Sequence, residues 1–305
     1  MNLAESSQPP AFLIVGGDGL IGDALVRKIR GETYPVYATS RRPVTGPGVF
    51  QLDLAGKTEN LLLDRRIPEL AQHGSLTSIL VAALTGIADC ARDPQGSRLV
   101  NVTNTVGVAR ELMALGSAVI FISSNAVFSG KVPYPVDFAE TDPITDYGRQ
   151  KAEVEKSLLA IHTDMQDAPS LMIVRLTKVV ARTLPLVSNW IGNLRAGKKI
   201  DAFDDRYFSP ISLPHTIESI IRIGKSGRSG IYHVTGSRDL TYYDFAQLLA
   251  ISLGVDAGLV NPVAGDVNVI GLVQKHSALG RTRADLALSL APEEPEMVAK
   301  WLVNL

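Results

Sequence analysis

Three side chains in the middle of the sequence have the types and spacing needed for proton transfer to a carbonyl oxygen. Tyr147 and Lys151 are four residues apart, so on a helix they lie on one face. A phenol has an ordinary pKa near 10, and a neighbouring ammonium favours its ionised form at lower pH. Ser124 follows an apolar run and offers a hydroxyl to the same oxygen. The pattern predicts that Tyr147 exchanges the proton, with Ser124 and Lys151 assisting. Taken alone, the Tyr/Lys pair also fits an ordinary surface contact.

Apolar strands that alternate with amphipathic helices must position these side chains. The predicted strands cover residues 11–15, 35–39, 49–54, 78–84 and 118–122, and a helix is predicted over 98–115. This alternation is typical of an α/β fold with a Rossmann-type doubly wound parallel sheet. Such sheets bind ligands at the carboxyl ends of their strands, which is where Ser124 is expected.

A glycine-rich turn follows the first strand and opens the first helix. Its three glycines are spaced G-x-x-G-x-x-G, which lets a bare backbone approach a diphosphate at the helix N-terminus. A structural turn between any strand and helix produces similar letters, so the context on both sides is what favours a dinucleotide loop. The loop residues expected at the cofactor are Gly16, Gly19, Leu20, Ile21 and Gly22.

Arg41 and Arg42 follow the second strand, where this fold places the group that meets the adenosine ribose. An acid there would accept a hydrogen bond from the 2′-hydroxyl, whereas two guanidiniums pair with a 2′-phosphate. The sequence therefore predicts NADP in preference to NAD. A solvated arginine pair is the alternative interpretation.

The remaining cofactor contacts are expected at the ends of later strands. Asp53 and Leu54 end the third predicted strand, near the expected position of the adenine. Ala82 and Ala83 are small enough for the cofactor to lie close over the fourth. Lys151 is expected to bind the nicotinamide ribose as well as to assist Tyr147.

Composition excludes several classes of protein. The 305 residues include 30 Lys and Arg against 31 Asp and Glu, a formal net charge of −1 that argues against a general nucleic-acid surface. Cys90 is the single cysteine, which favours a reducing compartment and a buried thiol. No apolar stretch of 18 residues occurs, and the five histidines have no ligand-like spacing, so neither a membrane span nor a metal is expected. We expect a cytoplasmic protein, and a homodimer stays open.

The combined motifs resemble the extended short-chain dehydrogenase/reductase family. The shared features are the glycine loop, the Ser at a strand end and the Tyr-x-x-x-Lys pair, here Gly16, Gly19, Gly22, Ser124, Tyr147 and Lys151. Within that family, residues 123–130 and 147–151 are most similar to dTDP-4-dehydrorhamnose reductases and related NAD-dependent epimerase-dehydratase proteins. Residues 205–210 and 230–236 extend the likeness beyond the catalytic half. The resemblance implies an NAD(P)-dependent oxidoreductase acting on a nucleotide-linked sugar.

Several residues depart from the pattern of those reductases on the expected substrate side. Asn125-Ala126 replaces Asp-Tyr, Arg206 replaces Gln, Phe208 replaces Gly, and Lys178 stands where the family usually runs on to an aromatic residue and a Gly. The resemblance places Asn125, Tyr147 and Arg206 at the substrate. It also implies a cofactor domain over 1–181, rejoined by 209–236, and a smaller substrate lobe from 182–208 and 237–305.

Three functions remain open at this stage. The first is an NADP-dependent reductase of a 4-keto sugar in which Tyr147 donates the proton. The second is a sugar epimerase that returns the hydride, whereas a dehydratase lacks support because Asn125-Ala126 replaces the Asp-Glu pair of that branch. The third is a non-catalytic NADP-binding regulatory subunit.

Overall fold

A seven-stranded parallel sheet is the central feature of the computed structural model, which describes residues 10–43, 46–56, 75–265 and 274–304. Its strands are β1 (Ala11–Val15), β2 (Val36–Ser40), β3 (Val49–Gln51), β4 (Leu76–Leu80), β5 (Ala118–Ser124), β6 (Leu171–Leu176) and β11 (Gly230–Val234). Their order across the sheet is β11-β6-β5-β4-β1-β2-β3. After β1, the chain adds β2 and β3 on one side of it and then β4, β5, β6 and β11 on the other side. The strand order therefore reverses between β1 and β4. This confirms the predicted Rossmann-type doubly wound sheet.

The chain divides into two compact units. The first consists of residues 1–123, 149–174 and 220–230, and the second of 124–148, 175–219 and 231–305. The predicted substrate lobe over 237–305 includes 266–273 and 305, which lie outside the described residues. The helices are α1 (Leu20–Gly31), α2 (Ile87–Arg92), α3 (Pro94–Arg98), α4 (Thr105–Ala114), α5 (Asp146–Asp164), α6 (Pro185–Arg195), α7 (Leu213–Ser226), α8 (Tyr242–Leu253), α9 (Arg283–Ala287) and α10 (Pro295–Val303).

The first unit is built around β1, whose five residues are all buried. β2 and β4 pair with it in parallel register. On α1, Leu25 and Ile29 lie four residues apart and are both at most 1% exposed, as an amphipathic helix packed on a sheet requires. The buried strand and the packed helix together hold the turn between them in place.

Two strands end earlier than their apolar residues predict, and each ends at a local change in backbone hydrogen bonding. The predicted strand 78–84 is observed as β4, Leu76–Leu80. The N–H groups of Val81 and Ala82 both donate to the carbonyl oxygen of Val15, each at 2.9 Å, and this fork ends the regular ladder. The predicted strand 49–54 is observed as β3, Val49–Gln51, and turns at Asp53, whose carboxylate accepts from Ala55 N–H at 2.9 Å. The segments that follow β3 and β4 therefore line the edge of the sheet.

The helix predicted over 98–115 contains a π-helical segment. Residues Leu99–Asn104 form it, between α3 and α4. The hydroxyl of Thr105 donates to the carbonyl oxygen of Val100, five residues earlier, at 2.9 Å. The wider turn changes the faces that side chains occupy, so Leu99 is exposed whereas Asn101 and Asn104 are buried.

The second unit has its own apolar core, formed by α6, α8 and α10 with short strands. These strands are β7 (Lys178–Val180), β8 (Ile200–Phe203), β9 (Tyr207–Phe208), β10 (Pro210–Ser212), β12 (Leu240–Thr241) and β13 (Val260–Val263). They pair two by two, β7 with β10, β8 with β13 and β9 with β12. Phe208 stacks on Tyr242 at a ring-centroid distance of 4.3 Å and meets Phe245 edge-on. Thr241 starts α8, because it caps the helix in a reciprocal box with Asp244.

The two helical glycines Gly22 and Gly107 provide a matched test of the glycine loop. A Cβ on Gly22 would lie 2.0 Å from the carbonyl oxygen of Gly16, whereas one on Gly107 would meet nothing within 4 Å. We expect Gly22→Ala to lower the free energy of unfolding by about 3 kcal/mol through overpacking. Gly107→Ala should raise it by about 0.5–1 kcal/mol, since alanine loses less entropy in a helix. Urea unfolding of both variants measures this, and equal stability of Gly22→Ala and the wild type would contradict the expectation.

Candidate active site

The glycine loop carries the backbone geometry that its spacing predicted. Gly16 has φ +96°, a conformation that favours glycine, and its N–H donates to the hydroxyl of Thr39 at 3.0 Å. Gly19 is the N-cap of α1, and no side chain of the described residues caps this helix. The first-turn N–H groups of α1 therefore face the loop without a side-chain acceptor, which is the arrangement that binds a phosphate.

A cleft of about 640 Å³ lies over this loop, at the position where the strand order reverses. Its lining includes ten of the residues predicted to contact the cofactor: Gly16, Gly19, Leu20, Ile21, Arg41, Arg42, Asp53, Leu54, Ala82 and Ala83. Gly22 is not in the lining and packs against Gly16 from inside the turn. A Cβ on Gly19 would come no closer than 3.6 Å to the atoms around it, so the protein itself leaves that space open.

The open space beside Gly19 and the uncapped helix fit a dinucleotide. The cleft volume falls within the range of small-molecule sites. The protein's own packing does not require glycine at position 19, and a glycine with room beside it fits a site where a ligand approaches the backbone. The lining also contains residues that the sequence did not single out: Asp18, Thr39, Val81, Leu84, Thr85, Gly86, Asp89 and Val100. Residues 81 and 84–86 follow β4 directly, whereas Thr39 lies within β2 and Val100 within the π-helical segment.

Arg41 and Arg42 are exposed residues of this cleft. Within the part of the chain that the structure describes, neither guanidinium is in an ion pair. The Ser40 hydroxyl accepts from the Arg42 N–H at 3.1 Å and donates to the carboxylate of Asp18, also at 3.1 Å. The backbone ahead of the two arginines is thus tied to the glycine loop while their charges stay available to a ligand.

Lys151 is buried, 3% exposed, and held by the first unit. Its ammonium donates to the carbonyl oxygen of Ile122 at 2.8 Å and lies 4.6 Å from the centre of the Phe121 ring. Burial lowers the pKa of Lys151 to about 8, against the opposing influence of the Glu155 carboxylate. The side chain is therefore a desolvated cation that is still mainly protonated at neutral pH.

Glu155 is a buried acid that sequence reasoning missed. It lies one helical turn after Lys151 on α5, and it accepts from the Ser123 hydroxyl at 2.5 Å. Ser123 directly precedes Ser124, so the carboxylate holds the end of β5 as well as acting on the charge of Lys151. The i,i+4 spacing of Lys151 and Glu155 was the only sequence signal for this role.

Ser124 and Asn125 are ordered by local bonds in the second unit. The Ser124 hydroxyl accepts from the Ala126 N–H at 3.2 Å and donates to the side-chain oxygen of Asn125 at 3.3 Å. The Asn125 amide in turn donates to the hydroxyl of Ser277 at 2.8 Å. Asn125 is thus fixed in orientation, and the bond from Ser124 to it is long enough to be exchanged for a stronger acceptor.

Tyr147 is half-buried in the first turn of α5, which confirms the predicted helix for the Tyr/Lys pair. The Thr145 hydroxyl accepts from the N–H of Gly148 at 3.1 Å. A Cβ on Gly148 would lie 2.1 Å from the carbonyl oxygen of Ala126, which explains the glycine that follows the tyrosine. The tyrosine is therefore carried by a helix start that packs backbone to backbone against the residues after Ser124.

Arg206, the third predicted substrate contact, is buried at 7% exposure. Its guanidinium forms an ion pair with Asp205 at 3.0 Å and donates to the carbonyl oxygen of Gly265 at 2.9 Å. Both partners of the Arg206 guanidinium belong to the second unit. Its substrate role stays a prediction.

Other sequence expectations concern metals, the thiol and membranes. Cys90 is buried, as predicted. His233 is a satisfied core residue, since its Nδ1 is 2.7 Å from the carbonyl oxygen of Gly280 and burial lowers its pKa to about 4. The described ranges contain no group of three His, Cys, Asp or Glu side chains placed to hold a metal, and none of their helices combines the length and apolarity of a membrane span.

Comparison with known proteins decides the family. Residues 11–293 match the family described as RmlD substrate binding domain. The chain belongs to this family. That membership confirms the resemblance to extended short-chain dehydrogenase/reductases, and with it the classification as an oxidoreductase of that type.

Individual relatives share a quarter or so of the sequence over most of its length. A dTDP-4-keto-6-deoxy-D-glucose reductase of Streptomyces niveus is 28% identical over 263 residues, covering 84% of this chain and 83% of the relative. The methionine adenosyltransferase 2 subunit beta of Xenopus tropicalis is 22% identical over 265 residues, covering 83% and 75%. The dTDP-4-dehydrorhamnose reductase of Bacillus anthracis, solved in complex with NADP, has a TM-score of 0.79 at 19% identity and covers 98% and 99% of the two chains. That last likeness shows the shared fold.

The lowered pKa of Lys151 predicts a pH dependence of stability. An unfolded lysine titrates near 10.5 and the folded one near 8, so between these values the unfolded state binds more protons and the free energy of unfolding rises with pH. Relative to Lys151→Met, the wild type should gain about 3 kcal/mol from pH 8 to 10.5. Urea unfolding across this range measures the difference. Lys156→Met, at an exposed position of α5, is the control and should follow the wild type, whereas parallel curves for wild type and Lys151→Met would refute the expectation.

Proposed function

We propose that the chain is an NADP-dependent reductase that converts the 4-keto group of a dTDP-linked sugar to a hydroxyl. The observation that carries the proposal is the Lys151 ammonium, which is buried and desolvated one helical turn after Tyr147 on α5. Burying an ammonium group costs free energy, and strongly perturbed pKa values cluster at active sites. The named reductases among the relatives support the substrate class.

The cleft of the first unit is the proposed cofactor site. The N–H groups at the start of α1 would bind the diphosphate, Arg41 and Arg42 the 2′-phosphate, and Asp53 with Leu54 the adenine. Ala82 and Ala83 would form the wall on which the cofactor lies. When bound, NADPH supplies the hydride for the reduction. The Bacillus anthracis reductase solved with NADP supports this choice of cofactor.

The proton is assigned to Tyr147. Its phenol would donate to the substrate oxygen as negative charge develops there, and Ser124 would donate a hydrogen bond to the same oxygen. For that, the Ser124 hydroxyl exchanges its long bond to Asn125 for the developing anion. Below pH 8, the Lys151 ammonium would stabilise the phenolate left on Tyr147 and bind the nicotinamide ribose.

Substrate recognition is assigned to the second unit. Asn125 and Arg206 would contact the substrate, and residues 182–208 with 237–305 would form the lobe around it. The Asn125 amide is held by Ser277, so its oxygen has a defined direction. This orientation supports a role in fixing the substrate, because a pre-ordered polar group binds at lower entropic cost.

Tyr147→Phe tests the proposed chemistry. Removing the proton donor should lower kcat/KM by about 100-fold or more. Binding of NADPH should stay within about twofold, since the ring remains. Loss of NADPH absorbance with a panel of dTDP-linked 4-keto sugars measures kcat/KM, and a fluorescence titration measures NADPH binding. Full activity of Tyr147→Phe would refute the mechanism.

The same assay separates the second candidate function. The similarity to a protein named methionine adenosyltransferase 2 subunit beta favours a regulatory subunit as the alternative. Tight NADPH binding by the wild type, without oxidation by any sugar of the panel, would support that alternative and contradict the reductase.

Replacing Arg41 and Arg42 together with alanine tests the cofactor preference. The variant loses two charge-assisted contacts to the 2′-phosphate, so the Kd of NADPH should rise by about 10- to 100-fold and that of NADH by less than about threefold. Arg30→Ala, an exposed arginine of α1, is the control and should change neither. An unchanged ratio of the two dissociation constants in the double variant would refute the assignment.

A further inference from the structure

Asn101, in the π-helical segment, binds the backbone of a residue that lines the cofactor cleft. It is 1% exposed, and its side-chain oxygen accepts from the N–H of Leu84 at 2.8 Å while its amide donates to the Leu84 carbonyl oxygen at 2.9 Å. Both backbone groups of Leu84 are thus satisfied by one side chain, in the way a neighbouring strand would satisfy them. This pairing shapes the wall that continues from Ala82 after β4 has ended.

Gln150 completes the bonding of Asn101. Its side-chain oxygen accepts the second hydrogen of the Asn101 amide at 2.7 Å, and its own amide donates to the Ser97 hydroxyl at 2.8 Å. Gln150 is 5% exposed, so none of these groups exchanges freely with water. The Ser97 hydroxyl has carbonyl acceptors on Cys90 and Pro94. Every bond therefore has a fixed direction: Asn101 donates to Gln150, and Gln150 donates to Ser97.

Only a side chain with an acceptor and a donor at its end fits between Asn101 and Ser97. The Gln150 oxygen orients the Asn101 amide, because it takes the hydrogen that Leu84 leaves unused. Without it, that hydrogen of the buried Asn101 amide would have only the Sγ of Cys90, a weak acceptor at 3.8 Å. Nothing of comparable strength would then keep the Asn101 oxygen toward the Leu84 N–H. Gln150 directly precedes Lys151 on α5, so the network also joins that helix to the cleft wall.

We propose that Gln150 is a positioning residue for cofactor binding, which acts through Asn101 to hold the Ala82–Leu84 wall in the arrangement that accepts a nicotinamide dinucleotide. The inference rests on the proposed function, since it takes the cleft as the NADPH site. Gln150 touches no reacting atom. Its effect is pre-organisation, which lowers the cost of binding.

Gln150→Met tests the proposal, because methionine keeps the length and apolar volume but lacks both hydrogen-bonding groups. Lys156→Met, exposed on the same helix, is the matched control. Calorimetric titrations use two probes, NADPH and adenosine 2′,5′-bisphosphate, which carries the phosphates and lacks the nicotinamide half. The Kd of NADPH should rise by about 5- to 30-fold in Gln150→Met, as expected when a buried donor loses its strong acceptor. The Kd of the bisphosphate should change less than about twofold, and the control should change neither.

Enzyme kinetics distinguish the proposed positioning role from a general loss of structure. In the reductase assay, the KM for NADPH of Gln150→Met should rise by the same factor as its Kd, while kcat at saturating NADPH stays within about twofold. Equal binding of NADPH by Gln150→Met and the wild type overturns the proposal. Parallel weakening of both probes also overturns it, because the effect would then be structural.

A second variant covers failure of Gln150→Met to fold, as judged by circular dichroism and Tm. Ser97→Ala removes only the acceptor of the Gln150 amide, and it should raise the Kd of NADPH by about two- to fivefold with the bisphosphate unchanged. No change in Ser97→Ala would refute the network. A wild type that binds neither NADPH nor NADH would instead refute the proposed function, and the two failures are therefore distinguishable.

Discussion

The close approach of three backbone segments at Gly16 is the constraint on which the cofactor cleft depends. A Cβ on Gly16 would lie 2.8 Å from the backbone of Ala82, and one on Gly22 would lie 2.0 Å from the Gly16 carbonyl oxygen. The end of β1, the first turn of α1 and the segment after β4 therefore meet with no side chain between them. The fork of Val81 and Ala82 N–H groups onto Val15 holds the third segment there. A ligand can consequently reach main-chain groups that side chains would otherwise cover.

A second constraint is the burial of Lys151. Removing an ammonium from water is costly, and the cost is offset by the carbonyl oxygen of Ile122, the face of Phe121 and the carboxylate of Glu155. The same carboxylate binds Ser123 at the end of β5. One helix of the first unit thus carries a cation whose charge is tuned by burial, together with the acid that keeps it mainly protonated.

Local patterns predicted the fold well because they depend on neighbours in sequence. The buried run before Gly16, the glycine turn and the amphipathic α1 all follow from short periods of residues. The same reasoning extended two strands too far. Residues 81–84 have the apolar letters of a strand, but their hydrogen bonds go to Val15 and Asn101 rather than to a continuing ladder. Likewise, the apolar spacing over 98–115 did not indicate the π-helical segment Leu99–Asn104, in which Asn101 is buried.

The sequence by itself determined three features: the spacing of Tyr147 and Lys151, the glycine loop, and the pair Arg41 and Arg42. Helix periodicity and turn chemistry act over a few residues, so local patterns are enough to predict them. The partners of Asn101 could not. It binds Leu84, 17 positions away, and Gln150, 49 positions away, and neither distance leaves a trace in local pattern. In the Tyr-x-x-x-Lys motif, Gln150 is one of the unspecified residues. Only packing made it a buried amide with two defined partners, because a polar group removed from water must find its hydrogen bonds wherever the fold brings them.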